Sequence, residues 1–147
     1  MQAKVINDAP ERTYALVFEQ GDEVVSTLER FANEHGFFAS RFSAIGAFER
    51  ATLGYFDWER KDYLRIPVDE QVEVLSLVGD LALDGARSKL HAHAVLGRRD
   101  GSTVGGHLLQ AQVRPTLEVL LVDSPSYLQR ERDPVSGLAL IRIGARD

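Results

Sequence analysis

The spacing of apolar residues divides the chain into one helix and a series of strands. From Val24 to Ala32 the apolar positions follow the period of an amphipathic helix. We expect Asp22 to cap the N-terminus of this helix and Gly36 to end it. The preceding segment, Thr13–Gln20, has the β-rich composition of a strand.

After the helix the pattern becomes one of strands. Residues 37–56 are dense in aromatic and small side chains, and glycine or charged residues interrupt them at the short intervals typical of hairpins. Six further segments have strand composition: DYLRIP, VEVLSLVGDLAL, LHAHAVLG, STVGGHLL, VRPTLEVLLV and GLALIRIG. No second helical pattern separates them, so parallel crossovers are scarce. The pattern predicts an α+β fold: a single domain with a mainly antiparallel sheet of about seven strands and one main α-helix.

Length and composition favour one folded unit. The chain has 147 residues, and 44% of them are hydrophobic, which is enough for one substantial core. We expect a single domain over residues 1–147, with an ordered core at about 12–144. No segment approaches the ~20 apolar residues of a membrane span. Because the first residues also lack the apolar segment of a signal peptide, we expect no membrane contact and a cytoplasmic location.

Charge and cysteine content restrict the chemistry further. The chain carries 17 Lys and Arg against 22 Asp and Glu, a net charge of −5. A protein that binds a polyanion gains most of its affinity by neutralising phosphates, so direct nucleic-acid binding is not expected. Cysteine is absent, so any metal must be bound through nitrogen and oxygen.

Three of the four histidines lie in one segment, HAHAVLGRRDGSTVGGHLL. His91 and His93 are two residues apart, so on a strand both side chains point to the same face. A three-residue turn at Arg99–Gly101 would place His93 opposite His107, and all three imidazoles would then share that face. A two-residue turn would send His107 to the other face, unless a bulge at Gly105–Gly106 restored it.

Three neutral imidazoles with an open fourth position form a plausible divalent metal site. We therefore expect a metal at His91, His93 and His107, with zinc as the expected ion. Glu73 and Glu118 are each flanked by apolar residues on a predicted strand, and they are the candidates for an additional ligand or a general base. The alternative is that all five are ordinary polar residues on the solvent-facing side of the sheet.

Two other patterns in the sequence involve histidine. His35 extends the apolar stripe of the helix, so we expect it to pack or cap near Gly36 rather than bind metal. Gly85 followed by the HAH triplet resembles the opening of the cupin metal motif. However, Gly97 and Arg98 stand where that motif has a glutamate, and its later proline–glycine–histidine element is missing. Cupin chemistry is therefore disfavoured.

Taken together, three segments resemble the plants-and-prokaryotes-conserved (PPC) domain, in its stand-alone prokaryotic form. They are SAIGAFERATLGYFD, VEVLSLVGDLAL and HAHAVLGRRDGSTVGGHLL, and the resemblance continues to RERDPVSGLALI. It implies an antiparallel sheet with one packed helix, assembly into homotrimers, and the capacity to carry a metal at the three histidines. Trimerisation would cover an apolar face of the sheet, for which the candidates are Phe37, Phe38, Phe42, Phe48, Tyr55 and Phe56. The alternative is that these aromatic residues form the core of the single chain, which we expect for some of them.

These observations give three hypotheses of function. The first is a homotrimeric interaction or regulatory module, or a small-ligand binder, with a three-histidine metal site and an unidentified protein or small molecule as its partner. The second is a metal-dependent hydrolase or related enzyme, in which metal-bound water attacks an ester, amide or phosphoester. The third is DNA binding, which rests on family association alone, because the chain lacks the basic AT-hook segments of plant members.

Overall fold

The computed structural model describes residues 2–8, 11–124 and 128–142. Within these ranges the chain forms one helix, α1 (Val24–His35), and nine strands. The strands are β1 (Gln2–Asp8), β2 (Arg12–Phe18), β3 (Ala39–Asp57), β4 (Asp62–Val68), β5 (Val72–Asp84), β6 (Arg87–Gly97), β7 (Thr103–Asp123), β8 (Gln129–Arg132) and β9 (Ala139–Arg142). The α+β class is confirmed, whereas the strand count exceeds the predicted seven. No strand was predicted at β1 or at the short, polar β8.

Two long strands each span a region that the sequence pattern divides into shorter strands. Residues 39–57 form β3, a single strand of 19 residues, so the prediction of hairpins there was wrong. Similarly, β7 joins two predicted strands into one of 21 residues. Register shifts mark where these strands bend, and Gly46 lies at one of them with φ +151°. A Cβ on Gly46 would lie 2.3 Å from the carbonyl oxygen of Thr116, so the position requires glycine.

The strands pair antiparallel, except for the contact between β5 and β8. The main order is β1-β2-β7-β3-β5-β8-β9, and β4 pairs with β3. Strand β6 pairs with both β5 and β7, while β3 also pairs with both. The four strands β3, β5, β6 and β7 therefore form a closed circuit.

Helix α1 covers one side of this sheet, against β6 and β7. It begins one residue later than predicted, because Glu23 rather than Asp22 is the N-cap: its carboxylate accepts from two backbone N–H groups of the first turn. The carboxylate of Asp22 instead accepts from the N–H of Glu19. Gly36 ends the helix with φ +69°, as predicted.

The last helical residue, His35, packs at the end of the helix as expected. Its ring centroid lies 4.1 Å from that of Phe31, and its Nδ1 lies 2.8 Å from the Phe31 carbonyl oxygen. Within the described residues, no helix is long and apolar enough to cross a membrane.

The side of the sheet away from the helix carries an exposed apolar surface, which we call the apolar patch. Its members are the exposed residues Val17, Ile45, Leu75, Val78, Val95 and Leu120. Four of them line a groove of about 420 Å³ that is formed by residues of β2, β3, β5 and β7. Of the aromatic candidates for this surface, Phe37, Phe42 and Phe48 are instead buried in the core, as the alternative requires.

Candidate metal centre

The hairpin of β6 and β7 brings the three histidines together. Its connection is the three-residue turn Arg99–Gly101, closed by a 2.8 Å backbone hydrogen bond between the flanking residues, with φ +83° at Gly101. In this register His93 lies directly opposite His107, as the first of the two predicted registers requires. His91 precedes His93 by two positions on β6, so all three side chains lie on the same side of the hairpin.

The three imidazoles converge at the spacing of metal ligands. Each offers one nitrogen, and these three atoms lie within 4.8 Å of one another. The Nε2 atoms of His91 and His93 are 3.2 Å apart, and the ring centroids of the three pairs lie 5.2 to 5.4 Å apart. Tetrahedral zinc with Zn–N bonds of about 2.05 Å holds its nitrogens about 3.3 Å apart. The donor set therefore fits a borderline divalent ion such as zinc.

Burial and neighbouring positive charge favour the neutral form of two of these rings. Burial is the largest cause that lowers the pKa of His107 to about 4, and His91, His93 and Arg130 lower it further. Burial also lowers the pKa of His91, against the opposing effect of Asp80. The neutral imidazole is the form that binds metal. The Nδ1 atom of His107 is buried and has no hydrogen-bond partner in the described parts of the chain.

Asp80 and Arg130, which sequence analysis did not identify, adjoin the cluster. Asp80 lies directly opposite His91 in the ladder of β5 and β6, with its Oδ2 3.8 Å from His91 Nδ1. The other carboxylate oxygen of Asp80 forms an ion pair with the buried Arg130 of β8. The two-residue turn after Asp84 sets the pairing of β5 with β6, so the register argument used for the next hairpin would have found Asp80.

A third neighbour, Tyr63 of β4, stacks on His107, with ring centroids 4.6 Å apart and an interplanar angle of 23°. Gly54, the β3 partner of His107, leaves room for this ring. A Cβ on Gly54 would lie 2.7 Å from Tyr63 Cδ1. No short-range pattern links residues 63 and 107, because the contact depends on how β4 and β7 flank β3.

The two candidate glutamates do not join the cluster. Glu73 pairs with Gly97, four positions along β6 from His93 and thus about 13 Å away along the strand. Glu118 lies eleven positions along β7 from His107, about 35 Å along the strand, and it lines the groove of the apolar patch. Both side chains are exposed at the surface. The prediction that either residue serves as a ligand or base at the histidines is therefore wrong. Alternation along a strand predicts which side of the sheet a residue faces, but it does not predict how far that residue lies from the histidines.

A cavity of about 250 Å³ lies beside the cluster. His91 and His107 contribute to its wall, together with Tyr63 and Arg130. The remaining lining residues are Asp84, Lys89, Leu90, Leu138, Ala139 and Leu140. The histidines are thus accessible from one side to a molecule smaller than a typical drug.

The chain is similar to a known protein family and to several solved structures. The family profile described as the Plants and Prokaryotes Conserved (PCC) domain, the PPC domain named above, matches residues 6–125. A metal-containing protein from Archaeoglobus fulgidus is 33% identical, with a TM-score of 0.83 and 97% of each chain covered. Comparison with curated proteins gives no match.

Two further solved structures have the same fold. A PPC protein from Pyrococcus horikoshii is 27% identical, with a TM-score of 0.85, and the match covers 99% of this chain and 97% of the other. A candidate DNA-binding protein from Ralstonia eutropha is 27% identical, with a TM-score of 0.84, and the match covers 89% of this chain and 91% of the other.

Proposed function

Because this chain belongs to the Plants and Prokaryotes Conserved domain family, we propose that it is a homotrimeric module that carries a divalent metal at His91, His93 and His107. Zinc is the expected ion. The module would bind a protein partner or a small ligand, and a cytoplasmic location remains a prediction. The observation that carries the proposal is the convergence of three imidazoles at the spacing of zinc ligands. The 33% identity to a metal-containing protein supports it.

A bound divalent ion would supply a Lewis-acid centre with at least one position open to a ligand. The chain itself provides three imidazole nitrogens, and among its described residues no carboxylate joins the cluster. Tyr63 shields one face of the His107 ring. The residues therefore hold and partly enclose the ion while leaving the cavity side accessible.

Trimerisation is supported by the apolar patch. Large side chains such as Ile45 and Leu75, 62% and 54% exposed in the single chain, lose contact with water only if another surface covers them. We propose further copies of the same chain as that surface. Analytical ultracentrifugation at micromolar concentration is expected to give the mass of a trimer, and a monomer would contradict this part of the proposal.

The metal part is tested by elemental analysis of protein purified without a histidine tag and incubated with zinc. We expect one metal per chain in the wild type and a loss of binding in His93→Ala. His35→Ala is the matched control, because His35 lies on the helix outside the cluster. A wild-type protein without bound metal would end the metal-based proposals.

A metal-dependent hydrolase is the second candidate, favoured by the cavity beside His91 and His107. It is weaker because neither proposed base is near, and because the carboxylate of Asp80 is already paired with Arg130. Metal-loaded protein assayed with a p-nitrophenyl ester and a p-nitrophenyl phosphodiester distinguishes the candidates. Turnover that His93→Ala abolishes would favour the enzyme, and none above the free-metal control would favour the module.

Direct DNA binding is the weakest candidate. It rests on the name of a relative such as the Ralstonia eutropha protein, while this chain carries a net charge of −5. Fluorescence anisotropy with a labelled duplex at low salt, where phosphate contacts are strongest, is expected to show no binding. Saturable binding under these conditions would restore this candidate.

A further inference from the structure

Asp80 is placed to act on the metal site through His91. The Nε2 atom of His91 lies 3.2 Å from His93 Nε2, on the side where the cluster converges. Its other nitrogen, Nδ1, lies 3.8 Å from Asp80 Oδ2, which is within ion-pair range but longer than a hydrogen bond, so donation to Asp80 requires a small approach of the two groups. The two nitrogens of one ring therefore face a ligand position and a carboxylate. In metal sites a ligand histidine commonly donates its second N–H to such a group, which fixes its tautomer and its ring orientation.

Two independent contacts hold Asp80 in place. The pairing of β5 with β6 sets it opposite His91, and an ion pair joins it to Arg130. Arg130 is only 7% exposed, and its Nη1 donates to the carbonyl oxygen of Ala139 at 3.3 Å. A guanidinium so deeply buried needs its carboxylate partner, because an unpaired buried charge is costly. Arg130 thus holds the carboxylate of Asp80 in place beside His91.

Arg130 also brings the C-terminal hairpin of β8 and β9 to the site. Strand β8 pairs in parallel with the end of β5, where Leu83 meets Gln129 and Asp84 meets Arg130. Leu138 and Leu140 of the same hairpin line the cavity beside the histidines. The hairpin therefore contacts the cluster both through the Arg130–Asp80 pair and as a wall of the cavity.

We propose that Asp80, held by Arg130, is a positioning residue that orients His91 for metal binding and couples the β8–β9 hairpin to the metal site. The inference rests on the proposed metal site. It adds that two residues behind the ligands, Asp80 and Arg130, control the affinity of that site for metal. Because coupling between two sites is reciprocal, metal binding would also strengthen the docking of the hairpin.

The test measures zinc affinity by competition with a chromophoric chelator in Asp80→Asn and in the wild type. Loss of such an orienting partner typically weakens metal binding about 10- to 100-fold. Glu73→Gln is the matched control, because Glu73 is an exposed acid on the same strand, opposite Gly97 and outside both the cluster and the cavity beside it. We expect its affinity to equal that of the wild type.

A purely structural role for Asp80 is separated by a spectroscopic readout on the folded, metal-free protein. Two-bond ¹H–¹⁵N NMR is expected to show His91 with its proton on Nδ1 in the wild type and a mixture of tautomers in Asp80→Asn. If that variant does not fold, Asp80→Asn/Arg130→Gln removes both charges of the pair and allows the same measurements.

Unchanged zinc affinity together with an unchanged His91 tautomer would overturn the positioning role. An affinity loss with an unchanged tautomer would also overturn it, because the loss would then be structural. Failure of the wild type to bind zinc would instead contradict the proposed function, so the two failures are distinguishable. Coupling to the hairpin is checked by hydrogen exchange at β8 and β9, where zinc is expected to slow exchange in the wild type but not in Asp80→Asn.

Discussion

The histidine cluster and the apolar patch occupy the exposed side of the same strands, yet they differ in what completes them. On β6, His93 belongs to the cluster and Val95, two positions on, belongs to the patch. The three imidazoles of the cluster and the neighbouring Asp80 come from one chain. The patch leaves large apolar side chains facing water. Folding of one chain assembles the first region, whereas the second is the one that we propose to be covered by association.

This difference has a physical origin. Cross-strand pairing places polar ligands at fixed spacing within a hairpin, so a ligand cluster needs only the correct register. Apolar surface gains about 25 cal/mol per Å² when it leaves water, and a single chain with one helix covers only one side of its sheet. The comparison predicts that metal binding and assembly can be disrupted separately.

Removing the metal should have the largest effect. For a site loaded at about 1,000 times its Kd, bound metal adds about 4 kcal/mol to the free energy of unfolding. Treatment with a chelator is therefore expected to lower the melting temperature strongly in calorimetry, while ultracentrifugation still shows the assembled state. Dissociation on chelation would mean that the cluster is also part of the interface.

A charge in the apolar patch tests the opposite half of the comparison. Leu75→Lys should weaken association at least about 100-fold, or about 2.8 kcal/mol, because the ammonium group must be desolvated at the interface. Zinc bound per chain should stay at the wild-type level. Val135→Lys is the control, because Val135 is 64% exposed but lies in the turn between β8 and β9, outside the patch. Equal effects of the two variants would argue against the patch as the interface.

Acid should lower the free energy of unfolding of the metal-free protein. The folded-state pKa of His107 is about 4, below its ordinary value of 6.5, so between these pH values the unfolded chain binds a proton that the folded ring does not. Stability is thus unaffected by this group above pH 6.5 and falls by up to about 1.4 kcal/mol per pH unit toward pH 4. Urea unfolding of wild type and His107→Gln should show a smaller acid loss in the variant; identical pH profiles would contradict the assignment.

The turn of the histidine hairpin should show the smallest effect. Gly101→Ala forces alanine to φ +83° with no steric contact within 4 Å, and such strain costs about 1 kcal/mol. Zinc affinity should fall a few-fold, because the turn sets the register of His93 and His107. Gly21→Ala, at φ +91° before helix α1 and likewise with no atom within 4 Å, should cost similar stability without this loss. Equal zinc affinities in both variants would show that register is set elsewhere.

Sequence reasoning succeeded where structure depends on neighbouring residues. The helix, its end at Gly36 and the facing of His93 and His107 follow from local spacing and turn chemistry. It failed for β3, because the sequence alone does not distinguish a glycine that bends a strand from a glycine that ends one. Gly46 is such a case.

The rest of the site depends on tertiary contacts. Arg130 reaches Asp80 through a parallel pairing whose partner residues are 46 positions apart in sequence, and Tyr63 reaches His107 across β3. Strand alternation also divides residues between two faces of the sheet without showing which face the helix covers. For that reason the sequence leaves open which aromatic residues face outward and which, like Phe37, Phe42 and Phe48, fill the core.

The pairing of His93 with His107 is the last rung of a short ladder. Strands β6 and β7 pair over only five positions, from Gly97 and Thr103 to these two histidines. Beyond them β6 continues along β5, while β7 continues along β3. The histidines therefore stand at a fork where the closed circuit of strands begins to open. An ion bound to both strands at this point would hold them together. Metal availability would then set how easily β6 and β7 separate from that end of their ladder.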